Sequence, residues 1–156
     1  MGVDRSTVER VLALVPQAPP FRFLDDIVEL DGNGIVGTCR YERDAWFYRG
    51  HFPGNPVTPG VILLETMAQT AVSAFGIYLL LLAGKGEEEI RGMVNLFSFA
   101  ETVDFITVVR PGEKVWVRGR KIYFRRSTLK VEAAVELEDG RTAARGVLAG
   151  TAVPGL

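Results

Sequence analysis

Apolar and polar positions along this chain fall into blocks whose period changes, and each change marks an element. Residues 4–15 place Val8, Val11, Leu12 and Val15 on one helical face. Ser6 followed by Glu9 predicts a capping box at the start of that helix, and Pro16, Pro19 and Pro20 end it. Residues 21–30 and 35–42 read as strands around the turn DGNG, 31–34, a sequence chosen for its tolerance of positive φ. A loop follows over 43–59, then a strongly apolar helix over 60–83, then a solvated connection, GKGEEE, over 84–89. Strands are predicted over 91–100, 113–125, 128–138 and 141–153. RPGE (110–113) and EDG (138–140) supply turn chemistry. The clearest alternation sets Lys130, Glu132, Glu136 and Glu138 against Val131, Ala133, Val135 and Leu137, the period-two mark of a half-buried strand.

This order predicts an α+β fold, an antiparallel sheet around one long helix. A helix so apolar needs cover on several sides. A curved sheet provides part of it and a partner subunit the rest. A length of 156 residues suits a single domain, 1–156. With 47% hydrophobic and 24% charged residues the composition is that of a globular protein, and a net charge of −1 gives no electrostatic footprint for nucleic acid. A lone cysteine, Cys39, excludes an internal disulfide and favours a reducing, cytoplasmic setting. One histidine and one cysteine also argue against a zinc site. The opening run MGVDRSTVERVLALVP is too charged and periodic for a signal peptide. Residues 61–83 reach membrane-spanning length, but Glu65, Thr66, Gln69, Thr70 and Ser73 mark a core helix, not a lipid-facing one.

The chemistry concentrates in GHFPGNPVTPGVILLETMAQ, residues 50–69. Pro53, Pro56 and Pro59 stiffen the loop, while Gly50, Gly54 and Gly60 permit tight turns or close approach. Pro59-Gly60 opens the helix, whose first N–H groups lack internal partners and can receive a carbonyl or oxyanion. Glu65, Gln69 and Ser73 form one polar stripe on that helix. Histidine suits general-base work near neutral pH, and a carboxyl group in apolar surroundings suits general-acid work. His51 and Glu65 are therefore the candidate base and acid. The plainer readings are a satisfied loop histidine, a glutamate paired with an arginine, and a Pro-Gly turn.

The same segment closely resembles the active-site segment of the (3R)-hydroxyacyl-acyl carrier protein dehydratases. His51, Phe52, Pro53, Gly54, Pro56, Pro59, Gly60, Val61, Glu65, Met67, Ala68 and Gln69 match the family pattern, and weaker similarity runs from about Leu14 to Ala149. The resemblance implies a hot-dog fold, with the sheet wrapped around the long helix. It implies dimers or trimers of dimers, with His51 of one protomer working beside Glu65 of the other. The substrate implied is a 3-hydroxyacyl thioester on the phosphopantetheine arm of acyl carrier protein, or on coenzyme A, dehydrated to the trans-2-enoyl thioester without a cofactor or metal. His51 would take the C2 proton, the Gly60 N–H would hold the enolate oxygen, and Glu65 would protonate the departing hydroxyl. Gln69 would orient Glu65, and Phe52, Pro59 and Val61 would line the substrate. Glutamate at position 65 resembles the branch without isomerase activity.

The chain departs from the pattern on either side of this segment. Before the first strand stands PQAPPFRFLDD, where many members carry His-Arg ahead of Tyr-Pro-Phe. Before Pro111-Gly112 the family's basic cluster is replaced by Asp104-Phe105-Ile106-Thr107-Val108-Val109-Arg110. Arg118, Arg120, Lys121, Arg125 and Arg126 are the alternative source of positive charge for an acidic carrier, or else a solvated strand face. These departures point to a specialised pathway. Competing functions are a hot-dog thioesterase and a non-catalytic acyl-binding subunit. Cys39 is a poor nucleophile because nothing near it in the sequence lowers its pKa.

Overall fold

The computed structural model describes residues 3–155. Helix α1, Arg5–Leu14, buries Val8, Val11 and Leu14. Its cap is Asp4 and not the Ser6–Glu9 box. The Asp4 carboxylate accepts from the Ser6 N–H at 3.3 Å, the Thr7 N–H at 3.1 Å and the Thr7 hydroxyl at 2.7 Å. A carboxylate one position before the first helical turn reaches its free donors directly and lies at the positive end of the helix.

Strand β1 is Asp26–Leu30, shorter than the predicted 21–30. Of the excluded residues, Phe21 and Phe23 are held by the central helix, because the Gln69 side chain bonds the Phe23 N–H and the Phe21 carbonyl, while the Asp25 N–H reaches the Thr38 carbonyl of the next strand. Strand β2, Gly34–Arg40, follows the expected hairpin. That turn has no positive φ. The Asp31 carboxylate closes it by accepting from the Asn33 and Gly34 N–H groups at 2.7 and 3.0 Å. Within the 43–59 loop, Trp46–Tyr48 form a 3-10 turn.

The central helix, α2, runs Gly60–Leu82. Its middle, Ala68–Ala74, is a buried π-helical stretch that the sequence pattern did not predict. Short helix α3, Glu87–Arg91, occupies part of the connection read as irregular. Three glutamates in its first turn favour it through the helix dipole, and Arg10 pairs with Glu87 at 2.7 Å. Strand β3 extends to Phe105 from Met93, beyond the predicted 91–100. Strands β4, Lys114–Arg125, β5, Thr128–Leu137, and β6, Thr142–Pro154, complete the chain.

All six strands form one antiparallel sheet in the order β1-β2-β4-β5-β6-β3. The sheet curls around α2 so closely that successive helix residues meet different strands. Thr70 lies against Gly37 of β2, Ala71 against Gly119 of β4 and Val72 against Gly150 of β6. A Cβ at Gly119 would fall 2.7 Å from the Ala71 Cβ, so glycine is what permits the approach. Met67, Ala71, Ala74 and Phe75 are wholly buried in this embrace. It is the wrapped α+β architecture expected above, the hot-dog arrangement. The apolar helix that matches a membrane span in length has 78% of its most apolar window inside the fold.

The opposite face of the sheet carries cross-strand ion pairs. Arg118 bonds Glu136 at 2.8 Å and Arg120 bonds Glu132 at 2.6 Å, so these two arginines belong to a solvated strand face and are already engaged. Strand β3 ends the sheet with an open edge, along which Leu96, Phe97 and Phe99 are exposed.

Candidate active site

Two elements present the candidate groups. The loop before α2 presents His51, and the first turns of α2 present the helix N-terminus and Glu65. Around His51 the loop folds back on itself. The Asn55 N–H donates to the Phe52 carbonyl at 2.9 Å, and the Val57 N–H donates to the His51 carbonyl at 2.9 Å. The imidazole completes a reciprocal pair, since Nδ1 lies 2.9 Å from the Val57 carbonyl oxygen. A carbonyl only accepts, so Nδ1 carries a proton, and in the neutral ring Nε2 is the atom with the lone pair. Phe52 stacks on the imidazole with centroids 4.2 Å apart and remains exposed on its other side.

Pro59 caps α2, and its carbonyl accepts from the Ile62 and Leu63 N–H groups. Among the described residues the Gly60 and Val61 N–H groups have no acceptor. They form the exposed positive end of the helix dipole. The Phe105 ring covers Gly60, and a Cβ there would meet it at 3.2 Å. Val61 is 71% exposed, so it points away from its own core.

Glu65 is half-buried, less enclosed than its apolar neighbours in sequence suggest. Its Oε1 accepts from the Gln69 amide at 2.9 Å. Gln69 is wholly buried and fully engaged, since its Oε1 also accepts from the Phe23 N–H at 2.6 Å and its Nε2 donates to the Phe21 carbonyl at 3.0 Å. One side chain thus locks the Glu65 carboxylate to the 21–23 segment. The Tyr41 hydroxyl bonds Thr66 at 2.7 Å, and its ring meets Phe23, which in turn meets Phe47. Burial pushes the Tyr41 phenol well up, so it stays neutral. Among the described residues no hydrogen bond joins His51 to Glu65 within one chain, and no cluster of ligands could hold a metal.

The FabA-like domain pattern matches residues 15–147. The chain belongs to this family. This FabA-like domain is 34% identical over 135 residues to the 3-hydroxyacyl-[acyl-carrier-protein] dehydratase FabZ of Chloroflexus aggregans, covering 85% of the chain and 87% of the relative. It is 32% identical over 142 residues to FabZ of Caldicellulosiruptor bescii, covering 90% and 94%. Among solved structures, the dehydratase heterocomplex ApeI:P from Xenorhabdus doucetiae aligns with a TM-score of 0.72 at 14% identity, over 90% of this chain and 89% of that one. The smu.793 protein of Streptococcus mutans, bound to acetyl CoA, aligns with a TM-score of 0.60 at 13% identity, over 90% and 97%. These two show the fold.

In this FabA-like domain several residues at the site escaped the sequence reading. Thr58 and Thr66 lie within the motif, whereas folding brings Tyr41, Tyr48 and Phe105 to it from outside. The one available signal was a tyrosine or threonine hydroxyl interrupting an otherwise apolar run.

Proposed function

We propose that the chain removes water from a (3R)-3-hydroxyacyl thioester carried on the phosphopantetheine arm of acyl carrier protein, in fatty-acid or related acyl-chain biosynthesis. The observation that carries this reading is the His51 imidazole, held by the Val57 carbonyl with its Nε2 lone pair free. The relatives' names give the same activity.

Nε2 of His51 takes the C2 proton, which the thioester carbonyl makes acidic. The C–H electron pair moves toward the carbonyl oxygen, where the Gly60 and Val61 N–H groups stabilise the enolate. The enolate collapses to the C2–C3 double bond as the C3–O bond breaks. Glu65 protonates the hydroxyl as it leaves, directly or through a water, so one water departs. Gln69 keeps the carboxyl aimed, and Phe52, Pro59 and Val61 line the approach of the acyl chain. No step calls for a metal or cofactor.

The site is shared. His51 of one protomer meets Glu65 of the other in a homodimer, alone or as the unit of a trimer of dimers. The open, apolar β3 edge and the exposed Val61 support a partner at this side. The buried thiol of Cys39 fits a reducing, cytoplasmic setting.

The test is incubation with a 3-hydroxyacyl thioester of acyl carrier protein and, separately, of coenzyme A. Absorbance of a conjugated enoyl thioester is expected. Release of free thiol without it would establish hydrolysis, and neither signal would leave only binding. Glu65→Gln should lower turnover by about 10²–10⁴-fold with circular dichroism unchanged. Full activity in that variant removes the acid role.

A further inference from the structure

The His51 loop has a neck. The chain enters the loop after Tyr48 and returns at Thr58, and the two side chains meet there with Tyr48 Oη 2.6 Å from Thr58 Oγ1. Both residues are buried, Tyr48 at 4% and Thr58 at 6% exposure. Burial also pushes the Tyr48 phenol up, so the contact joins two neutral hydroxyls. The Tyr48 side is anchored by its 3-10 turn, in which the Tyr48 N–H donates to the Ala45 carbonyl at 3.1 Å.

What makes the neck consequential is the peptide unit it grips. The carbonyl of Val57 and the N–H of Thr58 belong to one planar group. That N–H donates to the Val109 carbonyl at 2.9 Å, while the carbonyl accepts from His51 Nδ1 at 2.9 Å. A hydrogen-bonded chain therefore runs from the backbone after β3, through a single peptide, to the catalytic ring, and each bond polarises the next. If the peptide tilts, the carbonyl swings off Nδ1 and the imidazole loses both its orientation and its tautomer. Prolines at 53, 56 and 59 fix their own φ angles, and Pro59 biases Thr58 toward extended backbone, but none locks the ψ of Val57 that sets this tilt. The Val109 carbonyl holds the peptide from its N–H side, and the Thr58 side chain is the second handle, which Tyr48 holds.

We propose that Tyr48 is a positioning residue, which through Thr58 fixes the Val57–Thr58 peptide and thereby the Nδ1–H tautomer and aim of His51. This rests on His51 being the base of the dehydration proposed above, but its test does not depend on turnover alone. The chain has one histidine, so the imidazole nitrogens give a single assignable pair of ¹⁵N signals. In the wild-type protein, long-range ¹H–¹⁵N correlation should show one tautomer, protonated at Nδ1. In Tyr48→Phe and in Thr58→Val the two nitrogens should move toward averaged shifts. The turnover number kcat should fall about tenfold, with KM little changed. Thr58→Ser retains the hydroxyl and should retain the wild-type imidazole signature.

Each single variant leaves one buried hydroxyl without its partner, which by itself destabilises. The double variant Tyr48→Phe/Thr58→Val removes both hydroxyls. It should recover thermal stability while keeping the averaged imidazole. That separates positioning from mere support of the fold, and it carries the readout if either single variant does not fold. A wild-type imidazole signature in the double variant overturns the proposal. If the wild-type chain instead shows the single tautomer but dehydrates no substrate, the function fails and the positioning stands.

Discussion

At the scale of single residues, the side chains that matter are those whose hydrogen bonds cross between segments. Gln69 is the clearest, with three partners from a wholly buried position. Gln69→Leu strips the Phe23 N–H of its acceptor and frees the Glu65 carboxyl, and should cost about 1–3 kcal/mol in urea unfolding together with a fall in kcat. Asp4 offers a pH test. Its bonds to the Thr7 hydroxyl and N–H hold its carboxyl below the ordinary aspartate value of 3.8. A depressed folded pKa means the cap contributes fully above pH 3.8 and is lost as pH falls through the lower folded value. Asp4→Asn keeps a capping oxygen without the charge. Its melting temperature should therefore lie below the wild type's at pH 6, with the gap closing below pH 3.8. Cys39 is inert for a different reason, since burial pushes its thiol far up and Asp25 and Glu42 add to the shift.

At the scale of elements, α2 and the sheet fit through small residues. Gly119 touches Ala71 at a distance no side chain tolerates. Gly119→Ala should destabilise by about 1–3 kcal/mol, read as a lower denaturation midpoint with an unchanged slope. The apolar periodicity and the turn chemistry made α1, α2, β4, β5 and β6 legible beforehand, because those elements satisfy their own backbones and alternate as their burial demands. The Phe21–Leu24 stretch differs from a strand although it alternates like one, because Gln69 takes the Phe21 carbonyl and the Phe23 N–H. The π-helical stretch was invisible because Ala68–Ala74 has the same residue types as an ordinary buried helix.

At the scale of the whole molecule, the shared site proposed above would leave each protomer with two half-sites, in keeping with the lack of a His51–Glu65 hydrogen bond within one chain among the described residues. Mixing His51→Ala and Glu65→Ala protomers should restore about a quarter of wild-type turnover, since half the dimers are mixed and each mixed dimer has one intact site. No recovery would count against the shared site. Leu96→Lys with Phe97→Glu on the open β3 edge should shift sedimentation toward monomer and abolish activity with it. By itself the sequence determined the fold class, the motif of residues 50–69 and its chemistry. These depend on local periodicity, on proline and glycine, and on which side chains can trade protons. Tertiary structure alone decided that Gln69 recruits Phe21 and Phe23, and that Tyr48 closes the neck of the His51 loop on Thr58. Each is a bond between groups that a linear pattern cannot pair, because its partner is chosen by how the sheet closes around the helix.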